Sequence, residues 1–238
     1  MSVLLLCAIL ATERQMAELY LVRHAQASFG TDDYDRLTEL GHRQSRWLGE
    51  YFAERGMQFD RVLTGTLRRH RETLQGIAAG CRDTPAPEID AGLDEYSAEA
   101  LVGAYAKAKE VGYAPGHADR REHFRLLREV LYSWADGGLD ADGHLRFADF
   151  VSGARRALES ARRSGAARVL VVSSGGPISA LLGTLLGAAP RKMIDLNLQA
   201  RNSGVSELRF NDKVVHLVSF NNVPHLDRPG RSEAITYS

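Results

Sequence analysis

Leu-Tyr-Leu-Val-Arg-His-Ala, residues 19–25, decides how this chain is read. An apolar strand that ends in Arg23-His24 holds a guanidinium and an imidazole rigidly at the edge of a sheet. The forked cation can grip phosphate oxygens while a neutral imidazole nitrogen beside it attacks the phosphorus. Taken alone, Arg-His is also an ordinary strand end entering a loop, so the remaining sequence has to carry the argument.

With 238 residues, 44% of them hydrophobic, the chain can bury a full core, as one large domain or as a domain carrying an insertion. Thirty basic residues balance thirty acidic ones. That balance removes any global pull toward nucleic acid or an anionic membrane, and neither is expected as a partner; a phosphate would be met by a local cluster of Arg. Arg120, Arg121, Arg125 and Arg128 are interspersed with Glu122 and Glu129, which reads as a solvated helix face. Two cysteines, Cys7 and Cys81, offer neither a disulfide framework nor metal spacing, so a reducing, cytoplasmic setting is expected. The apolar run at residues 3–11 is too short to span a bilayer and no Lys or Arg precedes it. Residues 1–17 are therefore expected to be an N-terminal extension outside the fold. A docking segment that lays Leu4, Leu5 and Leu6 on an apolar surface is the alternative.

Short Val- and Leu-rich runs alternate with segments of helical period, the pattern of an α/β fold with a largely parallel sheet. Strands are predicted at residues 18–23, 61–63, 88–90, 168–172, 205–210 and 214–220, the last two joined by an Asn211-Asp212 turn. A loop containing Gly30 and Asp32-Asp33 leads to a helix capped by Thr38, with Leu40, Trp47, Leu48, Tyr51 and Phe52 facing inward. A second helix carries Leu67, Leu74 and Ile77. Further helices are expected at residues 123–134, 147–163 and 178–186. Residues 98–149 break the alternation and read as a helical insertion over the carboxyl edge of the sheet.

Ligands of such sheets gather beyond the carboxyl ends of the strands, and four of those places carry suitable groups. The first supplies Arg23 and His24. The second puts Arg69 in the opening turn of a helix, where its charge and the free backbone N–H groups favour an anion. The third, Leu93-Asp94-Glu95, offers Glu95 as a proton donor. The fourth, Ser173-Ser174-Gly175-Gly176-Pro177, has small residues whose backbone amides can approach a phosphate; an ordinary Ser helix cap is the plainer alternative.

Leu21-Val22-Arg23-His24-Ala25-Gln26-Ala27-Ser28 resembles the Arg-His-Gly signature of the histidine phosphatase superfamily. Leu37-Thr38-Glu39-Leu40-Gly41-His42-Arg43-Gln44 is similar to its Leu-Thr-x-x-Gly-x-x-Gln helix start, and Leu67-Arg68-Arg69-His70-Arg71-Glu72-Thr73 to its Leu-x-Arg-Ala-x-x-Thr segment. Leu93-Asp94-Glu95, Asn202-Ser203 and Asn221-Asn222-Val223-Pro224-His225-Leu226 extend the likeness in the same order. The resemblance implies a phosphoglycerate mutase-like fold: an α/β three-layer sandwich, its mostly parallel central sheet flanked by helices, with a helical insertion over the active site. It implies His24 as the nucleophile that becomes phosphorylated and Glu95 as the acid. Arg23, Arg69, Ser174 and Gly175 would bind phosphate, with Gln26 and Ser28 in support. Neither a metal nor a cofactor is implied.

Two positions depart from the family pattern. Ala25 replaces the signature Gly. Ser174 stands where the family usually places a second His that donates to the phosphate; a hydroxyl donates one neutral hydrogen bond, about half as strong as a charged one. His70, where the family has Ala, and His225 could reach toward the pocket, but such residues more often lie at the surface or behind a site, and neither is counted in it. The function expected is hydrolysis of a phosphomonoester through a phosphohistidine on His24. The alternatives are a phosphoglycerate mutase-type phosphotransferase and a phosphate-binding protein impaired by Ser174. A mutase must also hold the second hydroxyl of its substrate and keep water away, and no sequence feature requires that. The expected partner is a small phosphorylated substrate or inorganic phosphate, chosen by the insertion, and a homodimer stays open.

Overall fold

The computed structural model of the protein describes residues 16–28, 35–110, 120–139, 145–163 and 165–237. The expectations for Leu4, Leu5, Leu6 and Cys7, for Gly30 and Asp32-Asp33, and for the side chains of Arg120, Arg121 and His123 lie outside the described residues.

Six strands form one sheet in the order β3-β2-β4-β1-β5-β6. They are β1 (Ala17–Arg23), β2 (Arg61–Thr64), β3 (Glu88–Ile89), β4 (Arg168–Ser173), β5 (Val205–Phe210) and β6 (Val215–Asn222). The β3-β2, β2-β4 and β4-β1 pairings are parallel, and β5 and β6 add an antiparallel edge. Seven α-helices lie among the described residues: α1 (Glu39–Glu54), α2 (Arg68–Gly80), α3 (Ala98–Lys109), α4 (Arg120–Ala135), α5 (Phe147–Arg162), α6 (Gly175–Leu185) and α7 (Pro190–Leu198). None is long and apolar enough to cross a membrane.

Alternation along the strands builds the layers. Leu19 and Leu21 of β1, with Val169 and Val171 of β4, enter one core cluster; Val22, Leu170 and Val172 enter the other. Leu48 and Phe52 of α1 and Leu74 and Ile77 of α2 cover the second face. The first face is covered by α3 to α7, through residues such as Leu101, Trp134, Phe150, Leu181 and Ile194. Both faces are thus buried, which explains why the parallel strands read as continuous apolar runs.

The helical insertion is anchored in the main core. Trp134 packs against Tyr96, Phe147 and Phe150, and its indole N–H donates to Leu145 O at 2.7 Å. Its first helix, α3, was not expected; Ser97 caps it by accepting from Ala100 N. Helix α7 was also unexpected, and α6 begins at Gly175 rather than near residue 178. Pro177 fits within the first turn of α6 because the N–H it lacks would have no intrahelical partner there. The carboxyl-terminal segment folds back onto α1: Gln44 Nε2 donates to Ala234 O at 2.7 Å and to Thr236 Oγ1 at 3.0 Å.

Candidate active site

Parallel register aligns the ends of β1 and β4. Arg23 pairs with Ser173, and His24 N prolongs the ladder by donating to Ser173 O at 2.8 Å. Between them the ends of β1, β2 and β4 present His24, the turn leading to α2, and Ser174.

His24 is buried, and its Nδ1 lies 2.8 Å from Ala25 O. A carbonyl only accepts, so Nδ1 carries the proton and the Nε2 lone pair is left for chemistry. Burial, then the charges of Arg23 and Arg69 and the His70 ring, hold the imidazole neutral, well below its usual pKa. The loop is braced from α2: Ala25 N donates to Thr73 Oγ1, which itself donates to Arg69 O. Ser203, in a left-handed conformation with φ of 54°, donates its amide to His24 O at 3.1 Å.

Both arginines are buried. Arg23 donates to Ala200 O at 2.5 Å, which aims it from β1 toward the loop after α7. Arg69 meets Asp35 Oδ1 at 2.7 Å. The same carboxylate accepts from Arg68 N at 2.8 Å, so Asp35 caps α2. The anion at this helix start is therefore a side chain of the protein, where the sequence suggested amides open to a ligand.

Glu95 reaches across to α6. Its Oε2 accepts from Gly176 N at 3.1 Å and its Oε1 from Tyr96 N at 3.3 Å. Burial raises its pKa against the opposing pull of the Gly176 amide and of Arg69 and Arg23. A carboxyl with a raised pKa can carry a proton to a leaving group. Ser173 Oγ donates to Leu93 O at 2.6 Å, tying β4 to the turn that carries Glu95. Among the described residues, no three His, Cys, Asp or Glu gather as a metal site.

A sequence model of the histidine phosphatase superfamily (branch 1) matches residues 19–223, most of the chain. The chain belongs to the histidine phosphatase superfamily. No curated protein matches it. Its fold is similar to phosphoglycerate mutase from Bacillus anthracis, with a TM-score of 0.64 at 18% identity over 89% of this chain and 95% of that one. Phosphoserine phosphatase from Entamoeba histolytica gives 0.62 at 20% identity, covering 88% and 98%. The α-ribazole phosphatase of Shigella flexneri gives 0.60 at 20%, covering 86% and 96%.

Within this superfamily member, the supporting residues act on the scaffold. Gln26 N donates to Gln44 Oε1 at 2.8 Å, and Thr38 donates its hydroxyl to Gln26 Oε1 at 2.8 Å. Thr38 also caps α1 at Gly41 N, and a Cβ on Gly41 would stand 2.2 Å from Gln26 O. The Leu-Thr-x-x-Gly-x-x-Gln spacing thus puts cap, close contact and buried amide on one face of α1. Ser28 pairs its amide with Arg36 O. A Cβ on Gly175 would stand 2.3 Å from Asn197 Oδ1 and 3.5 Å from Arg23 Nε, and one on Gly176 would stand 2.0 Å from Glu95 Oε1. Gly175 leaves room for the Asn197 side chain, and Gly176 for the Glu95 carboxyl.

Of the two histidines that could reach toward the pocket, His70 is the one in contact with a candidate site residue. It lies behind Ser174 and not at the surface: it is fully buried, its ring centroid 5.9 Å from that of His24, with Nε2 2.7 Å from Ser174 Oγ. Ser174 occupies the cap position of α6 but makes no side-chain cap bond. His225, the other candidate, stands behind His24: Ser203 Oγ donates to Asn202 O, so His225 Nε2 donates to Ser203 Oγ at 2.8 Å. The signal for His70 was a polar ring replacing Ala next to Arg69.

Proposed function

We propose that this member of the superfamily is a phosphomonoester phosphatase working through a phosphohistidine on His24. The observation that carries the reading is the Nδ1–H of His24 fixed on Ala25 O, which leaves an Nε2 lone pair on a ring kept neutral by burial and by the charges of the buried Arg23 and Arg69. Nε2 bonds to phosphorus as the ester P–O bond breaks, and Glu95 gives its proton to the leaving oxygen. Positive charge gathers on the ring and is met at Nδ1–H by the Ala25 carbonyl. Arg23 and Arg69 neutralise the phosphoryl oxygens, with a hydrogen bond from Ser174 beside Gly175. In the second half, ionised Glu95 takes a proton from water, the hydroxide bonds to phosphorus, and the N–P bond breaks.

Membership of the superfamily, with phosphatases among the similar folds, supports the class of reaction. The test is phosphate release from a panel of phosphorylated sugars, glycerates, nucleotides and phosphopeptides, with wild type and His24→Ala. Release by wild type alone is expected. Equal release by both, or transfer between a substrate's own oxygens with little free phosphate, would overturn the reading.

A further inference from the structure

His70 is a buried imidazole, and its two nitrogens have unequal surroundings. Nε2 touches Ser174 Oγ at 2.7 Å, while Nδ1 has no hydrogen-bond partner and lies 3.7 Å from Asp94 Oδ1, beyond hydrogen-bond reach. An unpaired buried nitrogen is costly, so its persistence calls for a state in which it is used. The approach of carboxylate and ring depends on Gly65: a Cβ there would stand 2.3 Å from Asp94 Oδ1 and 2.4 Å from His70 Nδ1. Asp94 is itself held, accepting from Thr66 N at 2.6 Å and from Thr66 Oγ1 at 2.5 Å.

We infer that Asp94, His70 and Ser174 form a proton relay in which His70, a positioning residue, takes up a proton when phosphate enters the site and thereby turns the Ser174 hydroxyl toward it. The inference rests on the phosphatase reading and adds a part to it. In the free protein the nearby carboxylate favours the proton on Nδ1, so Nε2 accepts from the Ser174 hydroxyl and Ser174 has no proton to offer a ligand. When a monoanionic phosphate arrives, Ser174 passes its proton to Nε2 and receives the P–O–H proton in return. One O–H and one N–H bond form, one P–O–H and one Oγ–H bond break, and no electrons are exchanged. The result is a dianion receiving a hydrogen bond from Ser174, whose oxygen accepts one from an imidazolium facing Asp94. Ser174 thereby gains the charge assistance a hydroxyl lacks by itself.

The charged and titratable groups around His70 set the balance. Burial of the ring, with Arg69 and Arg71 on α2, opposes its charging; the His24 ring faces it at 5.9 Å, and the Asp94 carboxylate, 3.7 Å from Nδ1, is the anion beside it. In the free protein burial and the two arginines hold the ring at about 3. A phosphate dianion supplies the missing negative charge on the Ser174 side.

The experiment is ring-nitrogen NMR of the full chain labelled with 15N-histidine, titrated with inorganic phosphate near neutral pH. The His70 nitrogens, assigned by loss in His70→Gln, are expected to converge to the imidazolium pattern in wild type and to stay neutral in Ser174→Ala. His70→Gln keeps an N–H that can reach Ser174 but takes up no proton; phosphate affinity is expected to fall roughly tenfold and its proton linkage to vanish. Should phosphate shift the His24 resonances while His70 stays neutral, the relay is wrong and the phosphatase reading stands. If phosphate leaves the His24 resonances unmoved, both fail. Unchanged affinity and proton linkage in His70→Gln would also overturn the relay.

Discussion

Glu95 and Gly176 are fitted to each other: one carboxylate oxygen takes the Gly176 amide at 3.1 Å, and a methyl group on Gly176 would stand 2.0 Å from the other. The most crowded atom is the far end of a flexible side chain, with Tyr96 Cε1 next at 3.0 Å, so the fold can relieve most of the clash by moving Glu95. Gly176→Ala is therefore expected to unfold at nearly the wild-type denaturant concentration yet lose roughly a hundredfold in kcat, the size of a general acid's contribution. A proportional loss of stability and activity would mean that Gly176 serves only the helix.

The raised pKa of Glu95 gives a pH signature. Its proton is available below that pKa and lost above it, so the rate of the first step falls as the pH climbs through the titration of Glu95. Glu95→Gln is expected to slow turnover and flatten that fall while leaving phosphate binding nearly intact. Equal loss of binding and turnover would contradict its role as the acid.

Gly41 is the opposite case to Gly176, because a Cβ there meets the backbone oxygen of Gln26 at 2.2 Å. Gln44, beside it on α1, bonds Gln26 N, Ala234 O and Thr236 Oγ1, tying the loop after His24 to the carboxyl-terminal segment. Gln44→Ala leaves buried groups unpaired and is expected to cost about 2–3 kcal/mol in urea unfolding. A loss below about 0.5 kcal/mol would show that those groups find other partners.

Three buried histidines make stability depend on pH. His70 and His225 are held at about 3 and His24 well below its usual value, chiefly by burial. Unfolded, each titrates near 6.5, so the unfolded chain takes up protons that the native rings refuse. Their contribution is complete above about pH 6.5 and is lost as the pH falls toward 3, at up to about 1.4 kcal/mol per pH unit for each ring. Glu95 acts the other way, since its native form binds a proton first. His225→Gln retains a donor for Ser203 Oγ and is expected to reduce the slope of unfolding free energy between pH 5 and 6 by about one proton. An unchanged slope would contradict a neutral His225.

What sequence made legible follows from what each residue depends on. The apolar runs of β1 and β4 and the cap, glycine and glutamine of α1 carry their own local logic, so strands, helix start and the carboxyl edge of the sheet could be read. Helix α3 is Ala-rich and α7 is nine residues of mixed polarity, so neither shows a strong apolar stripe. The role of Asp35 as the anion at the start of α2 crosses 33 residues to Arg68, and the contact of His70 with Ser174 crosses 104. Such pairings depend on which loops the sheet order brings together, and spacing does not encode that.

The central claim is that Nε2 of His24 accepts the phosphoryl group. Brief incubation with a hydrolysable phosphomonoester, acid or base quench and mass analysis of the peptide carrying residue 24 tests it directly. A phosphoryl adduct on His24 that survives base, is lost in acid and is missing from His24→Ala is the expected result. Turnover by wild type with no adduct, together with undiminished turnover by His24→Ala, would contradict it.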